Sequence, residues 1–332
     1  MPLKLSIVIP VYNRPDELKE LLESLVMQTR LPDEVVIVED GSTISSREIA
    51  DSYTDTLPIK YFEKENGGQG FARNYGYERA TGDFFIVFDS DCIIPKNYLA
   101  QVAQFLQSTP VDAYGGPDAA HPDFTIIQKA ISQSMTSVLT TGGIRGRKQH
   151  VGEYHPRSFN MGISSQVFEE TKGYKIPFMG EDLEFSTRII KMGFKTALIP
   201  EAFVYHKRRT DLMRFYKQLK YFGRARINLT RFHPEQIKII HIFPLVFTLG
   251  MLGTLLFWWI WPVLGRVGTT LYGAYFALIF LESLVVNRSL LVAILTPVAT
   301  LLQMAGYGYG LTYEWLRKLR GIDPNTKYIE LY

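Results

Sequence analysis

The chain has 332 residues, enough for two domains or one large one. Hydrophobic residues make up 46% and charged residues 21%, which excludes a disordered or low-complexity chain, and one cysteine, Cys92, excludes a disulfide framework or a cysteine-cluster metal site. The 36 basic and 33 acidic side chains nearly cancel, but unevenly: residues 1–206 carry net −7, residues 207–238 net +8 and residues 239–332 net +2. An acidic body, a basic collar and an almost uncharged tail do not describe an ordinary soluble enzyme.

The first apolar run, Leu5 to Tyr12, is continuous and rich in β-branched residues, the pattern of a strand buried on both faces. It contains Pro10 and lacks a small-x-small cleavage site, so it reads as a strand and not as a targeting signal. Arg14–Gln28 follows with Leu18, Leu21, Leu22 and Leu25 at helical spacing. Val35–Glu39 is the next strand, Ser45–Tyr53 a short helix, Ile59–Phe62 a third strand, Gln69–Ala80 a helix and Phe84–Phe88 a fourth strand. Strand and helix in alternation predict a mostly parallel α/β sheet, with ligands beyond the carboxyl ends of its strands. Residues 111–157 hold a further helix (Phe124–Leu139) and a basic stretch, Arg145-Gly146-Arg147-Lys148, read either as a loop closing over a diphosphate or as a solvated turn.

The collar interleaves ten cations with Phe215, Tyr216, Tyr221, Phe222 and Phe232 over residues 207–238, which suits an amphipathic interfacial helix at lipid phosphates better than a nucleic-acid patch. Three apolar runs follow, at about 239–264, 267–286 and 289–311, each long enough to cross a bilayer. Arg266, Glu282 and Arg288 are the charged residues between Ile239 and Leu311. The number of crossings stays open: three would separate the two ends of the tail, yet the collar and Arg317, Lys318 and Arg320 both favour the cytoplasm. Residues 312–332 form a C-terminal tail.

The residues just after each strand carry the chemistry. No Gly-x-Gly-x-x-Gly follows the first strand, and no phosphate loop with Gly-Lys-Ser/Thr exists. Asp89-Ser90-Asp91 instead places two carboxylates one residue apart at the end of a buried strand, a hard-oxygen pair suited to Mg²⁺ or Mn²⁺. Gly180-Glu181-Asp182-Leu183-Glu184-Phe185 puts carboxylates in the first turn of a helix, where they stay ionised and can take a proton, although acidic first turns are also ordinary helix starts.

In order, these segments resemble inverting glycosyltransferase family 2, of the GT-A fold: Ile7-Val8-Ile9-Pro10-Val11-Tyr12-Asn13-Arg14, Val36 to Thr43, Asn66-Gly67-Gly68 with Ala72-Arg73-Asn74-Tyr75-Gly76, Asp89-Ser90-Asp91, and Gly180-Glu181-Asp182. Glu39 departs from the family's usual Asp. The resemblance covers residues 5–192 and implies a catalytic domain over residues 1–206. It implies that Pro10, Tyr12 and Asp40 hold the nucleobase, that Arg73, Asp89 and Ser90 meet the nucleotide, and that Asp91, with Asp89, holds a divalent cation, Mn²⁺ or Mg²⁺. His206 is a further expected metal ligand, with a structural role as its rival. Asp182 would be the general base, and Asn160 and Glu181 would meet acceptor or donor sugar.

The implied activity is transfer from a nucleotide-diphosphate sugar, UDP being the commonest base, to a hydroxyl of a lipid-linked saccharide in cell-surface glycan synthesis. The implied setting is an integral membrane protein with its catalytic domain on the cytoplasmic face, touching membrane lipids and no nucleic acid. Two alternatives remain: a polyprenyl-phosphate glycosyltransferase, and an inactive sugar-nucleotide-binding protein. A processive synthase is disfavoured, because Gln218-Leu219-Lys220-Tyr221-Phe222 lacks the Arg and Trp of the Gln-x-x-Arg-Trp motif.

Overall fold

The computed structural model describes residues 3–141 and 154–322, so the basic stretch at residues 145–148 lies outside the described residues. The chain divides into two compact units: residues 1–121 with 147–207, and residues 122–146 with 208–332. The helical excursion after residue 121 therefore belongs with the C-terminal helices.

The first unit begins β1 (Leu5–Val11), α1 (Pro15–Val26), β2 (Glu34–Asp40), α2 (Arg47–Asp51), β3 (Ile59–Lys64), α3 (Gln69–Tyr77) and β4 (Phe84–Phe88). It continues with β5 (Cys92–Ile93), α4 (Tyr98–Ser108), β6 (Ala113–Gly115) and β7 (Asp118–Ala119). After α5 (Ile126–Thr136) and α6 (Val138–Thr141), which lie in the second unit, it resumes with β8 (Asn160–Ser164), α7 (Ser165–Thr171), α8 (Glu181–Lys191), β9 (Thr196–Leu198) and β10 (Val204–His206). The main sheet has the order β3-β2-β1-β4-β8-β6-β9 and a small second sheet the order β5-β10-β7.

Alternation along the central strands divides the core into two layers. Leu5, Ile7 and Ile9 pack with Leu18, Leu21, Leu22 and Leu25 of α1, while Val8, Val36, Val38 and Val87 pack with Ala72, Tyr77, Phe185 and Ile189 of α3 and α8. β1, β2, β3 and β4 are parallel, as expected, whereas β8 runs antiparallel to both β4 and β6. The reason is where the chain returns. Asn160, the first residue of β8, pairs with Phe88, the last of β4, so the strand enters from the end carrying the functional loops and not through a helical crossover.

The second unit is helical, adding α9 (Leu212–Leu229), α10 (Phe243–Ile260), α11 (Pro262–Asn287) and α12 (Leu290–Leu319). The last three, of 18, 26 and 30 residues, are long and apolar enough to cross a membrane by length and composition. Pro262 opens α11, because proline suits the first helical turn, and Pro297 lies inside α12. The basic helix α9 is no isolated interfacial element: it packs along α12. A Cβ on Gly310 would lie 2.0 Å from the Lys220 carbonyl oxygen, and one on Gly223 would lie 2.1 Å from that of Tyr307. Beside these contacts the buried Glu314 accepts from Arg224 at 3.0 Å and Arg231 at 3.4 Å.

Gly310→Val is expected to force the two backbones apart at a cost of about 2 kcal/mol or more, lowering the thermal midpoint by ~5 °C. Gly273→Ala, where an added Cβ meets nothing within 4 Å, serves as the control. Thermal unfolding in detergent checks both, and equal midpoints would refute the glycine-mediated packing.

Candidate functional site

The loops singled out in the sequence leave the main sheet at the carboxyl ends of β1, β2, β3 and β4. Asn13, in the left-handed region at φ 53°, ties the first two together. Its Oδ1 accepts from the backbone N–H of Thr43 at 2.8 Å and Ile44 at 3.0 Å, while its own N–H donates to Ser42 Oγ at 2.8 Å. Asp40 accepts from the backbone N–H of Gly67 at 3.0 Å and of Gly68 at 2.8 Å, and from Lys64 Nζ at 2.6 Å. Its carboxylate therefore shapes the Asn66-Gly67-Gly68 loop, with Lys64 as a neighbouring cation that sequence reasoning missed. Glu39, the departure from family pattern, is buried and accepts from Ser42 Oγ, from Ser46 N–H at 2.7 Å and from Tyr61 Oη at 2.7 Å. Pro10 is half-buried and Tyr12 exposed at the end of β1.

The metal-side residues meet through strand register. His206 pairs with Cys92 across β10 and β5, and Lys207 N–H donates to the Asp91 carbonyl at 3.0 Å. His206 Nε2 thereby comes to 3.1 Å from Asp91 Oδ1, its ring stacked on Phe159 at a centroid distance of 5.1 Å. Asp91 Oδ2 accepts from Arg14 Nη1 at 3.0 Å. Among the described residues, ligand atoms of Asp91, Cys92 and His206 lie within 4.8 Å of one another. Burial pushes the Cys92 thiol well up, and it donates to the Phe159 carbonyl at 3.6 Å. A carboxylate, a thiol and an imidazole that close together could hold a divalent cation.

A buried guanidinium joins this side of the site to α8. Arg73, 1% exposed, donates to Asp89 Oδ1 at 2.7 Å and to Glu181 Oε1 at 3.1 Å. Gln69 Nε2 also donates to Glu181 Oε1. Burial, with the charge of Asp182 beside it, pushes the Glu181 carboxyl up to about 7 against the pull of Arg73. The chain reaches α8 through Met179 (φ 61°) and Gly180 (φ 90°), a left-handed pair that turns Glu181 inward. Asp182, on the same first turn, is the more open carboxylate. Its Oδ2 pairs with Arg157 Nε at 2.7 Å and its Oδ1 accepts the Leu183 N–H at 2.8 Å.

Two residues expected at the sugar already have partners within the chain. Asn160 is fully buried, accepting from Tyr98 Oη and donating to the Ala202 carbonyl at 2.7 Å, so both ends of its amide serve the fold. Glu181 is likewise engaged by Arg73 and Gln69 at 3% exposure. Ser90 is buried, and Asp89 keeps 31% of its side chain exposed beside Arg73. Arg14 and Arg157 are additions from the structure. Arg14 stands inside the first motif, whereas nothing in the spacing marks Arg157.

An uncharacterized glycosyltransferase of Escherichia coli, YibD, is 42% identical over 89 residues, 26% of each chain. The glycosyltransferase GlyG of Streptococcus pneumoniae is 33% identical over 114 residues, 34% of this chain and 38% of its own. The poly(ribitol-phosphate) beta-N-acetylglucosaminyltransferase TarS of Staphylococcus aureus is 36% identical over 108 residues, 31% of this chain and 19% of its own. The alignments thus span well under half of these relatives.

Among solved structures, a mannosyltransferase of Pyrobaculum calidifontis in complex with GDP-Man and Mn²⁺ has a TM-score of 0.59 at 17% identity, covering 96% of this chain and 88% of that one. TarS 1–349 with UDP-GlcNAc has a TM-score of 0.51 at 16% identity, covering 97% and 93%. These likenesses establish a shared GT-A fold. Residues 6–171, half of the chain, match the model of glycosyl transferase family 2, and the chain belongs to that family.

Proposed function

We propose that this glycosyltransferase inverts the donor's anomeric configuration and moves a sugar from a nucleotide-diphosphate sugar to a hydroxyl of a lipid-linked saccharide. The observation that carries the reading is the Arg73 bridge, 2.7 Å from Asp89 and 3.1 Å from Glu181. It supports reading the Asp89-Ser90-Asp91 triplet and the first turn of α8, which carries Asp182, as parts of one site. Pro10, Tyr12 and Asp40, with Lys64, take the nucleobase end. Asp91 and His206 would hold a divalent cation, which would supply positive charge for a departing diphosphate. Asp182, at the amino end of α8 where a carboxylate stays ionised, takes the proton of the attacking hydroxyl. Glu181 and Arg73 position this base relative to the donor.

TarS, by its name, builds a β-linked product on a polymer, which favours a hydroxyl acceptor here too. The three apolar helices on the same chain favour an acceptor carried by a lipid, and the basic run before the first of them favours the cytoplasmic side for the catalytic unit. The ion pair of Arg157 with Asp182 supports a second reading, in which a cation beside the base receives an anionic polyprenyl-phosphate acceptor.

Nucleoside diphosphate release from UDP- and GDP-sugars, by purified protein with Mn²⁺ or chelator and with or without membrane lipid extract, tests the reading. One donor should react, with dependence on both cation and lipid. A product that retains the donor's anomeric configuration, or release indifferent to lipid, would overturn it.

A further inference from the structure

Asp91 is held by a cation of the chain's own. Arg14 Nη1 lies 3.0 Å from Asp91 Oδ2, on the carboxylate oxygen opposite the one facing His206. The same Nη1 lies 3.9 Å from Glu17 Oε1, one turn into α1. The guanidinium thus stands between two carboxylates, the nearer one a metal ligand and the farther one on a helix surface. Arg14 keeps 36% of its side chain exposed and Glu17 33%, so moving from one to the other requires no repacking of the core.

A divalent ion and a guanidinium on one small carboxylate repel each other, while a guanidinium alone balances the carboxylate's charge. We propose that Arg14 is the resident counter-cation of Asp91, which a divalent cation displaces toward Glu17 as it binds. Arg14 in this role is a positioning residue. It keeps Asp91 charge-balanced and oriented before the cation arrives, and it sets the affinity at which the cation is taken up. The inference rests on the assignment of the cation to Asp91, and it concerns binding before any donor is present.

The test is Mn²⁺ affinity measured by electron paramagnetic resonance on the full-length, detergent-purified protein without nucleotide. Asp91→Asn should weaken binding at least tenfold. Arg14→Gln should tighten it about threefold to fivefold, the scale of one partly exposed ion pair. Glu17→Gln should weaken it, because the displaced guanidinium loses its second partner, and that effect should vanish in the Arg14→Gln background. Unchanged or weaker Mn²⁺ binding by Arg14→Gln, with Asp91→Asn still impaired, would overturn the displacement while leaving the cation at Asp91. Binding indifferent to Asp91→Asn would overturn both.

Discussion

Replacing Asp182 by asparagine is expected to lower kcat by about 10²–10⁴-fold, the usual contribution of a positioned general base, with little change in donor KM. The substitution keeps the side chain's volume and leaves the amide oxygen to accept the Leu183 N–H that Asp182 Oδ1 now accepts at 2.8 Å. What it removes is the negative charge facing Arg157 and the basicity needed to take the hydroxyl proton. Steady-state kinetics of nucleoside diphosphate release, with saturating lipid acceptor, check the split between kcat and KM.

The variant also separates the two acceptor classes. A phosphate acceptor is already an anion and needs no base, so activity within about tenfold of wild type would favour a polyprenyl phosphate and sink the hydroxyl reading. In that event Arg157, freed from Asp182, becomes the group that meets the acceptor, and Arg157→Gln should raise acceptor KM. Under the hydroxyl reading Arg157→Gln leaves the base in place.

The parts of this site that the sequence made legible are those encoded within single segments. β1, β2 and β4 are buried on both faces and read as continuous apolar runs, so the sequence locates the loops after them. Asp89 and Asp91 follow from those positions, and Asp182 from the first turn of its helix. What was illegible depends on contacts between distant segments. The direction of β8 is set by where a long excursion returns to the sheet, and β5 and β7, of two residues each, are too short for any periodic signal. The bonds of Asn160 to Tyr98 and to the Ala202 carbonyl likewise join distant segments. Arg157 meets Asp182 across 25 positions of chain, with neither motif nor period to announce it. The close seam of α9 on α12 was likewise hidden, because a row of glycines in an apolar helix says nothing about which backbone approaches it.

Arg73→Met is expected to destabilise the catalytic unit by about 3–5 kcal/mol, the cost of leaving a buried charge without its partner. Glu181 is the residue that would suffer, since its side chain is 4% exposed against 31% for Asp89. Water can reach Asp89 once the guanidinium is gone, whereas Glu181 must take up a proton or bury a bare charge. The double variant Arg73→Met with Glu181→Gln should therefore recover a substantial part of the loss, and chemical denaturation would measure it. A double variant no more stable than Arg73→Met alone would show that Arg73 stabilises by packing and not by charge.

The same carboxyl gives the wild-type protein a pH dependence of known sign. Folding raises the Glu181 pKa from 4.5 to about 7, so between those values the folded chain binds more protons than the unfolded one. Stability from this group is complete below about pH 4.5, declines as pH rises toward 7 and is level above it. Glu181→Gln should remove that slope. The slope matters for function because the proton that stabilises Glu181 also removes its attraction for Arg73, loosening the bridge to Asp89. Raising the pH through 7 is therefore expected to give up some stability while strengthening the Arg73–Glu181 pair.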